Sequence, residues 1–134
     1  MRHQDWPKRF NALVQSASNR PFVWGKHDCC LFAADVVYEL TGIDHAQFLR
    51  GRYKTHLGAA RIVKKLGGVK AIAVNALGDE IQPLLAQRGD IVLIKTKEFG
   101  DTLAVCAGEY CLAPGYDGLA KVSIKEAVDA WRVV

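Results

Sequence analysis

The sequence has little that would point outright to a membrane, a secretory route or a metal cage. Its longest unbroken aliphatic run in 134 residues is Ile91-Val92-Leu93-Ile94. A spanning helix needs roughly 20 apolar residues, so no membrane span is expected. Met1-Arg2-His3-Gln4-Asp5 has no apolar stretch behind its charges, so no secretory signal is expected there. Only four cysteines occur, and none lie in a C-x-x-C pair. Without a secretory signal they are expected to be reduced thiols. Cys29 and Cys30 are adjacent and so point different ways on a helix or a strand, which makes a poor metal cage. Cys106 and Cys111 read as small buried hydrophobes that a hairpin brings near one another. The set of Cys29 or Cys30 with Cys106 and Cys111 stays open as a metal or iron–sulfur alternative. No metal and no cofactor is the expectation. Acidic residues are missing altogether from His45 to Gly78.

What is present describes an ordinary globular chain. Half the residues are hydrophobic and 24% are charged, with a net charge of +4. That excludes intrinsic disorder and suits one domain over residues 1–134. Trp6, Phe10, Leu13, Val14 and Ala17 follow helical spacing and predict a helix over Trp6–Ser18, capped by Asp5 and ended by Asn19-Arg20-Pro21. Asp28 is a natural N-cap for a second helix, with Cys29, Phe32, Ala33, Val36, Val37 and Leu40 as its stripe and Thr41-Gly42 as its stop. A third helix is expected from Thr55, with Leu57, Ala60, Ile62, Val63 and Leu66 inward and Gly67-Gly68 at its end. A short helix or turn follows over Val69–Leu77.

After Gly78 the pattern turns to short strands. These are expected at Ile91–Lys95, Leu103–Ala107, Tyr110–Leu112 and Leu119–Ile124. Ala113–Gly118 reads as a hairpin loop with an Asp-Gly turn; it opens no helix and so is no phosphate cradle. Ser123 and Glu126 have capping-box spacing for a last helix over Lys125–Ala130. Trp131–Val134 would then return as a strand. The fold class is α+β, N-terminal helices packed on a C-terminal antiparallel sheet or half-barrel.

Chemistry concentrates in Phe22–Phe32. A cysteine in the first turn of a buried helix lies at the positive end of the helix dipole, which favours the thiolate. Cys29 is therefore either a candidate nucleophile or simply the first core residue of its stripe. Asp28 would serve as the helix cap. Four histidines are available as bases. His3 lies in a terminus expected to be mobile, and His45 and His56, in or near the loop between helices, read as solvated residues. His27, two residues before Cys29, is the remaining candidate base if its loop curls back.

The run Phe22-Val23-Trp24-Gly25-Lys26-His27-Asp28-Cys29 resembles the nucleophile segment of the NlpC-type cell-wall cysteine peptidases, a papain-like family: an aromatic, Trp-Gly, then Asp-Cys opening a hydrophobic helix. Arg88-Gly89-Asp90-Ile91-Val92-Leu93 is similar to that family's Pro-Gly-Asp-Leu-Val strand. Asp101–Gly108 is similar to its His-Val-Gly-Ile-Tyr-x-Gly strand. The resemblance implies a papain-like fold. It also implies three vestigial positions: Thr102 stands where the family has its catalytic histidine, Ala113 near its ring-orienting polar residue, and Phe22 where it has a tyrosine. A threonine hydroxyl cannot act as the base of a thiolate–imidazolium pair.

A closer resemblance is to a small phage-tail family of uncharacterised activity. It rests on Trp24-Gly25…Asp28-Cys29, Gly51-Arg52-Tyr53, Gly67-Gly68, Gly89-Asp90-Ile91-Val92 and Asp117-Gly118…Ala130-Trp131-Arg132-Val133. It implies a structural component of a tailed-phage or prophage tail tip, made in the bacterial cytoplasm, resident in the virion tail and partnered by other tail proteins. The alternative is a cell-wall peptidase or amidase acting on peptidoglycan through Cys29. The acid-free stretch holds Arg50, Arg52, Lys54, Arg61, Lys64 and Lys65, which read either as a solvated face or as a surface for an anionic partner. Aromatics are not interleaved with these cations, which argues against nucleic acid.

Overall fold

The computed structural model describes residues 1–134. Four helices come first: α1 (Trp6–Ala17), α2 (Cys29–Thr41), α3 (His56–Lys65) and α4 (Val69–Leu77). Five strands follow: β1 (Ile91–Thr96), β2 (Gly100–Cys106), β3 (Tyr110–Gly115), β4 (Gly118–Ser123) and β5 (Ala127–Trp131). They form one antiparallel sheet in the order β4-β3-β2-β1-β5. The fold is α+β with its helices N-terminal to its sheet. No helix is long and apolar enough to cross a membrane.

The sheet is buried on both faces, and strand alternation sorts its side chains. Ile91, Leu93, Leu103, Val105, Leu112 and Trp131 meet Phe10 and the buried face of α2 in the main core. Val92, Ile94, Ala104, Cys106, Cys111, Ala113 and Ala130 form a second cluster on the opposite face. Helix α2 is the hub. Leu31, Val36 and Leu40 are wholly buried. Asp28 caps it by accepting the Leu31 N–H at 3.0 Å, and Gly42 ends it at φ 81°, the left-handed conformation that frees glycine for this role.

Several expectations are corrected. Asp5 does not cap α1; its carboxylate turns to Arg9 Nε, 2.9 Å away and one turn on. His3 is not in a loose terminus. Its N–H donates to Leu40 O at 2.7 Å, while Arg2 bonds Val133 O, Arg88 O and Asp90 Oδ1, each at 2.8 Å. Helix α3 buries Ala59 alone, and Leu57 and Leu66 stay 62% and 40% exposed.

Ala113-Pro114-Gly115 is strand rather than loop, and the β3–β4 turn shrinks to Tyr116-Asp117. Proline is tolerated there because β3 pairs with β2 only at Val105↔Leu112 and Cys106↔Cys111, so Pro114 owes that side no N–H. The expected last helix is a single 3-10 turn, Ile124–Glu126, and the chain then pairs with β1 as β5. A segment this short carries too weak a period to choose its state; the open edge of β1 chooses it.

Candidate functional site

The Trp24-Gly25…Asp28 motif folds as a knot around one carboxylate. Asp28 Oδ2 accepts the Gly25 N–H at 3.0 Å and the Tyr53 hydroxyl at 2.6 Å, while Oδ1 holds the Leu31 N–H. Gly25 sits at φ 81°, and a Cβ there would lie 2.0 Å from the Tyr53 carbonyl oxygen. Only glycine fits so close an approach. The Gly25 carbonyl accepts the Gly51 N–H at 2.9 Å, which ties Gly51-Arg52-Tyr53 to the same knot. These motif residues therefore anchor the start of α2 and set the position of Cys29.

Cys29 is half-buried at the neck between two hollows. One is a cleft of about 250 Å³ walled by Trp24, Tyr53, His56, Val63 and Phe99. The other is a cavity of about 180 Å³ where β2 and β3 part, and it gathers Phe22, Cys29, Thr102 and Ala113. The sheet thus brings Cys29 together with the three positions that sequence comparison singled out. Thr102 is buried, and its hydroxyl is spent on the Gly100 carbonyl at 3.2 Å, with Thr96 Oγ1 at 3.4 Å. An aromatic cluster closes over the neck. Phe22 stacks on Phe99 with ring centroids 5.8 Å apart, and Trp24 stacks on His56 at 5.1 Å.

Burial, the neighbouring Cys30 and the Asp28 carboxylate push Cys29 up to about 12. The positive end of α2 is already spent on Asp28, so little of it is left to favour a thiolate. Cys30 is likewise pushed up to about 12, by burial and then Asp28. Tyr53 is raised, first by burial and then by its bond to Asp28.

His27 lines neither hollow. Its ring packs edge-on against Phe32, 5.7 Å between centroids, and neither ring nitrogen has a hydrogen-bond partner. Burial first, and then Arg20, lower its pKa, against Asp35 and Asp28, which raise it. The loop does not curl back to bring it to Cys29. His45 borders a separate apolar hollow of about 400 Å³ between α2 and α4, together with Cys30, Phe48, Leu66 and Leu77. His56 opens α3 directly after the Thr55 cap and is exposed, as expected, but it also lines the cleft that holds Cys29. Only the tertiary fold brings His56 to the cleft of Cys29; the local signal is the Thr55 cap that starts its helix.

Cys106 and Cys111 face one another across β2 and β3, both fully buried and free. No three His, Cys, Asp or Glu side chains gather as metal ligands, so the cysteine-ligated alternative has no geometry behind it. Arg50 leaves the basic surface: it pairs with Asp35 at 2.8 Å and Asp44 at 2.9 Å. Arg52, Lys54, Arg61, Lys64 and Lys65 are exposed and make no ion pair.

Over residues 1–133 the chain matches a family model described as a domain of unknown function, DUF6950, and it belongs to that family. No curated protein matches it.

Proposed function

We propose that this DUF6950 chain is a non-hydrolytic structural component of a tailed-phage or prophage tail tip, built on a papain-like, NlpC-type scaffold with an incomplete catalytic set. One observation carries the reading. Cys29 stands at the helix N-terminus beside Thr102 and Ala113, with its thiol pushed up to about 12 and no base bonded to it. Attack on a peptide carbonyl needs a thiolate near neutral pH and a proton acceptor in reach. The raised thiol and the lack of a hydrogen-bonded base support a non-hydrolytic role, and the knot around Asp28 supports a scaffold. The virion-tail location and tail-protein partners rest on the motif resemblance.

The test is residue-resolved alkylation of the four thiols across pH, read by peptide mass spectrometry. Cys29 should stay unreactive through neutral pH and label only in strong alkali. Labelling of Cys29 well below pH 7 would overturn the reading. Antibody labelling of purified virions tests the location: signal on the tail supports it, and signal absent from virions removes it.

A second reading is a peptidoglycan cysteine peptidase or amidase, favoured by His56 lying on the cleft with Cys29. Turnover of peptidoglycan fragments that is lost in Cys29→Ala and His56→Ala, but kept in His27→Ala, would establish it.

A further inference from the structure

The β2–β3 hairpin sets two of the free cysteines directly opposite one another, Cys106 against Cys111. Both are wholly buried, in one cluster on one face of the sheet. The backbone decides which kind of pair they make. Cys106 donates its N–H to Asp90 O at 2.8 Å and accepts the Gly89 N–H at 2.9 Å, so both of its main-chain groups point away from β3. The hairpin bond falls on the next pair along, Ala107 N–H to Tyr110 O at 2.7 Å. Hydrogen-bonded and non-hydrogen-bonded pairs alternate along antiparallel strands, so Cys106 and Cys111 are a non-hydrogen-bonded pair. In such pairs the Cα atoms approach to about 4.5 Å and the side chains lie closest. A disulfide needs Cα atoms about 4.4–6.8 Å apart, so the pair stands at the short end of that range.

Nothing costly holds the thiols apart. The Cys106 thiol rests on the Gly108 carbonyl at 3.6 Å, a weak contact. The position also matters to the sheet. β2 pairs with β3 only at Val105↔Leu112 and Cys106↔Cys111, and past these the strands part around the cavity beside Cys29. A covalent bond at Cys106–Cys111 would clamp the end from which they part.

We propose that Cys106 and Cys111 form a reversible disulfide site, a redox-sensitive staple across the β2–β3 hairpin that closes by exchange with a small disulfide of the glutathione type. One protein thiolate attacks a sulfur of that disulfide, which gives a mixed disulfide and releases one small thiolate. The second protein thiolate then attacks the protein sulfur and expels the other small thiolate. The Cys106–Cys111 bond forms and the small disulfide's bond breaks. The protein pair loses two electrons, and the small thiols take up both electrons and both protons. At so short a separation the bond is strained, so excess thiol reopens it. Burial pushes Cys111 up to about 12 and raises Cys106 as well, so exchange in the folded chain waits on opening of the exposed turn at Gly108 and Glu109. The inference stands on strand register, goes beyond the tail-tip reading, and holds whether or not Cys29 is catalytic.

The experiment refolds the full chain from urea in glutathione buffers of graded oxidised-to-reduced ratio, so that burial sets no barrier. Acid quench and N-ethylmaleimide then trap the remaining thiols. Cleavage after Glu98, Glu109 and Glu126 puts the two cysteines on separate peptides, 99–109 and 110–126, which stay joined only through the bond. In the most oxidised buffer they should be joined in most molecules with native circular dichroism, while Cys29 and Cys30 stay unlinked. Excess reduced glutathione should return them to thiols. The equilibrium constant for closure should be at least about tenfold larger in native buffer than in urea, because strand pairing holds the two residues side by side. Cys111→Ala should give no joined peptides. A native chain with both thiols free in the most oxidised buffer, a link to Cys29 or Cys30 instead, or a joined chain that has lost its native signal each overturns the proposal. So does a bond that survives excess reduced glutathione, or a constant no larger than in urea.

Discussion

Replacing Asp90 by Ala should unpin both ends of the chain at once. Asp90 is 1% exposed, in the turn before β1. Its Oδ1 accepts Arg2 Nη2 at 2.8 Å and the Val133 N–H at 2.9 Å, and its Oδ2 accepts the Gln87 N–H at 2.9 Å. The Arg2 side chain is itself only 14% exposed. Asp90→Ala therefore strands a mostly buried guanidinium and two backbone donors. Removing one partner of a buried pair costs ~3–5 kcal/mol. A stranded buried N–H costs ~1–3 kcal/mol. The losses share one site and do not add in full, so the expected cost is about 5 kcal/mol. Domains of this size hold only ~5–15 kcal/mol in all, and each kcal/mol shifts Tm by ~3–5 °C, so Tm should fall by about 15–25 °C. Urea denaturation followed by circular dichroism measures this. The double variant Arg2→Met/Asp90→Ala should recover part of the loss, because no cation is then stranded. A cost below about 2 kcal/mol, or no recovery in the double variant, would refute the argument.

Further predictions concern the knot and the buried imidazole. The pKa of His27 is lowered in the fold, so the unfolded chain binds the extra proton first. Stability is then complete above the unfolded value of about 6.5 and falls as pH drops below it. His27→Leu, which breaks no hydrogen bond, should flatten that acid slope in chemical denaturation between neutral and mildly acidic pH; an unchanged slope counts against it. Gly25→Ala places a Cβ against the Tyr53 carbonyl at positive φ, so it should cost more than ~3 kcal/mol and speed Cys29 alkylation as the knot opens. Tyr53→Phe removes one charge-assisted bond to Asp28 and should cost ~2 kcal/mol by thermal melting, with Leu31 still capped.

The elements whose signals are local were legible in the chain. Helix α2 has a cap, a stripe and a glycine stop within one short segment, and its observed bounds match its reading. The β1 strand is one aliphatic run. The turn to strands after Gly78 correctly indicated α+β. Where the local signal was weak, the reading failed: residues 124–131 carry both a capping-box spacing and strand formers, and pairing with β1 resolves them. The loop at Ala113–Gly118 was misread because Pro and Gly mark turns in general. Here Pro114 lies where β2 has already parted from β3.

The candidate site divides in the same way. Sequence alone placed Cys29 in the first turn of a buried helix and named Asp28 as its cap, since capping acts over three or four residues. Tertiary structure alone decided what surrounds Cys29. It set Thr102 and Ala113 beside Cys29, turned His27 toward Phe32, and brought His56 onto the cleft. A pKa depends on burial and on charges from several elements at once, and no spacing along the chain encodes that sum. The same holds for α3. Its pattern showed an amphipathic helix, but only the packed molecule shows that Ala59, Ile62 and Val63 turn inward while Leu57 stays exposed.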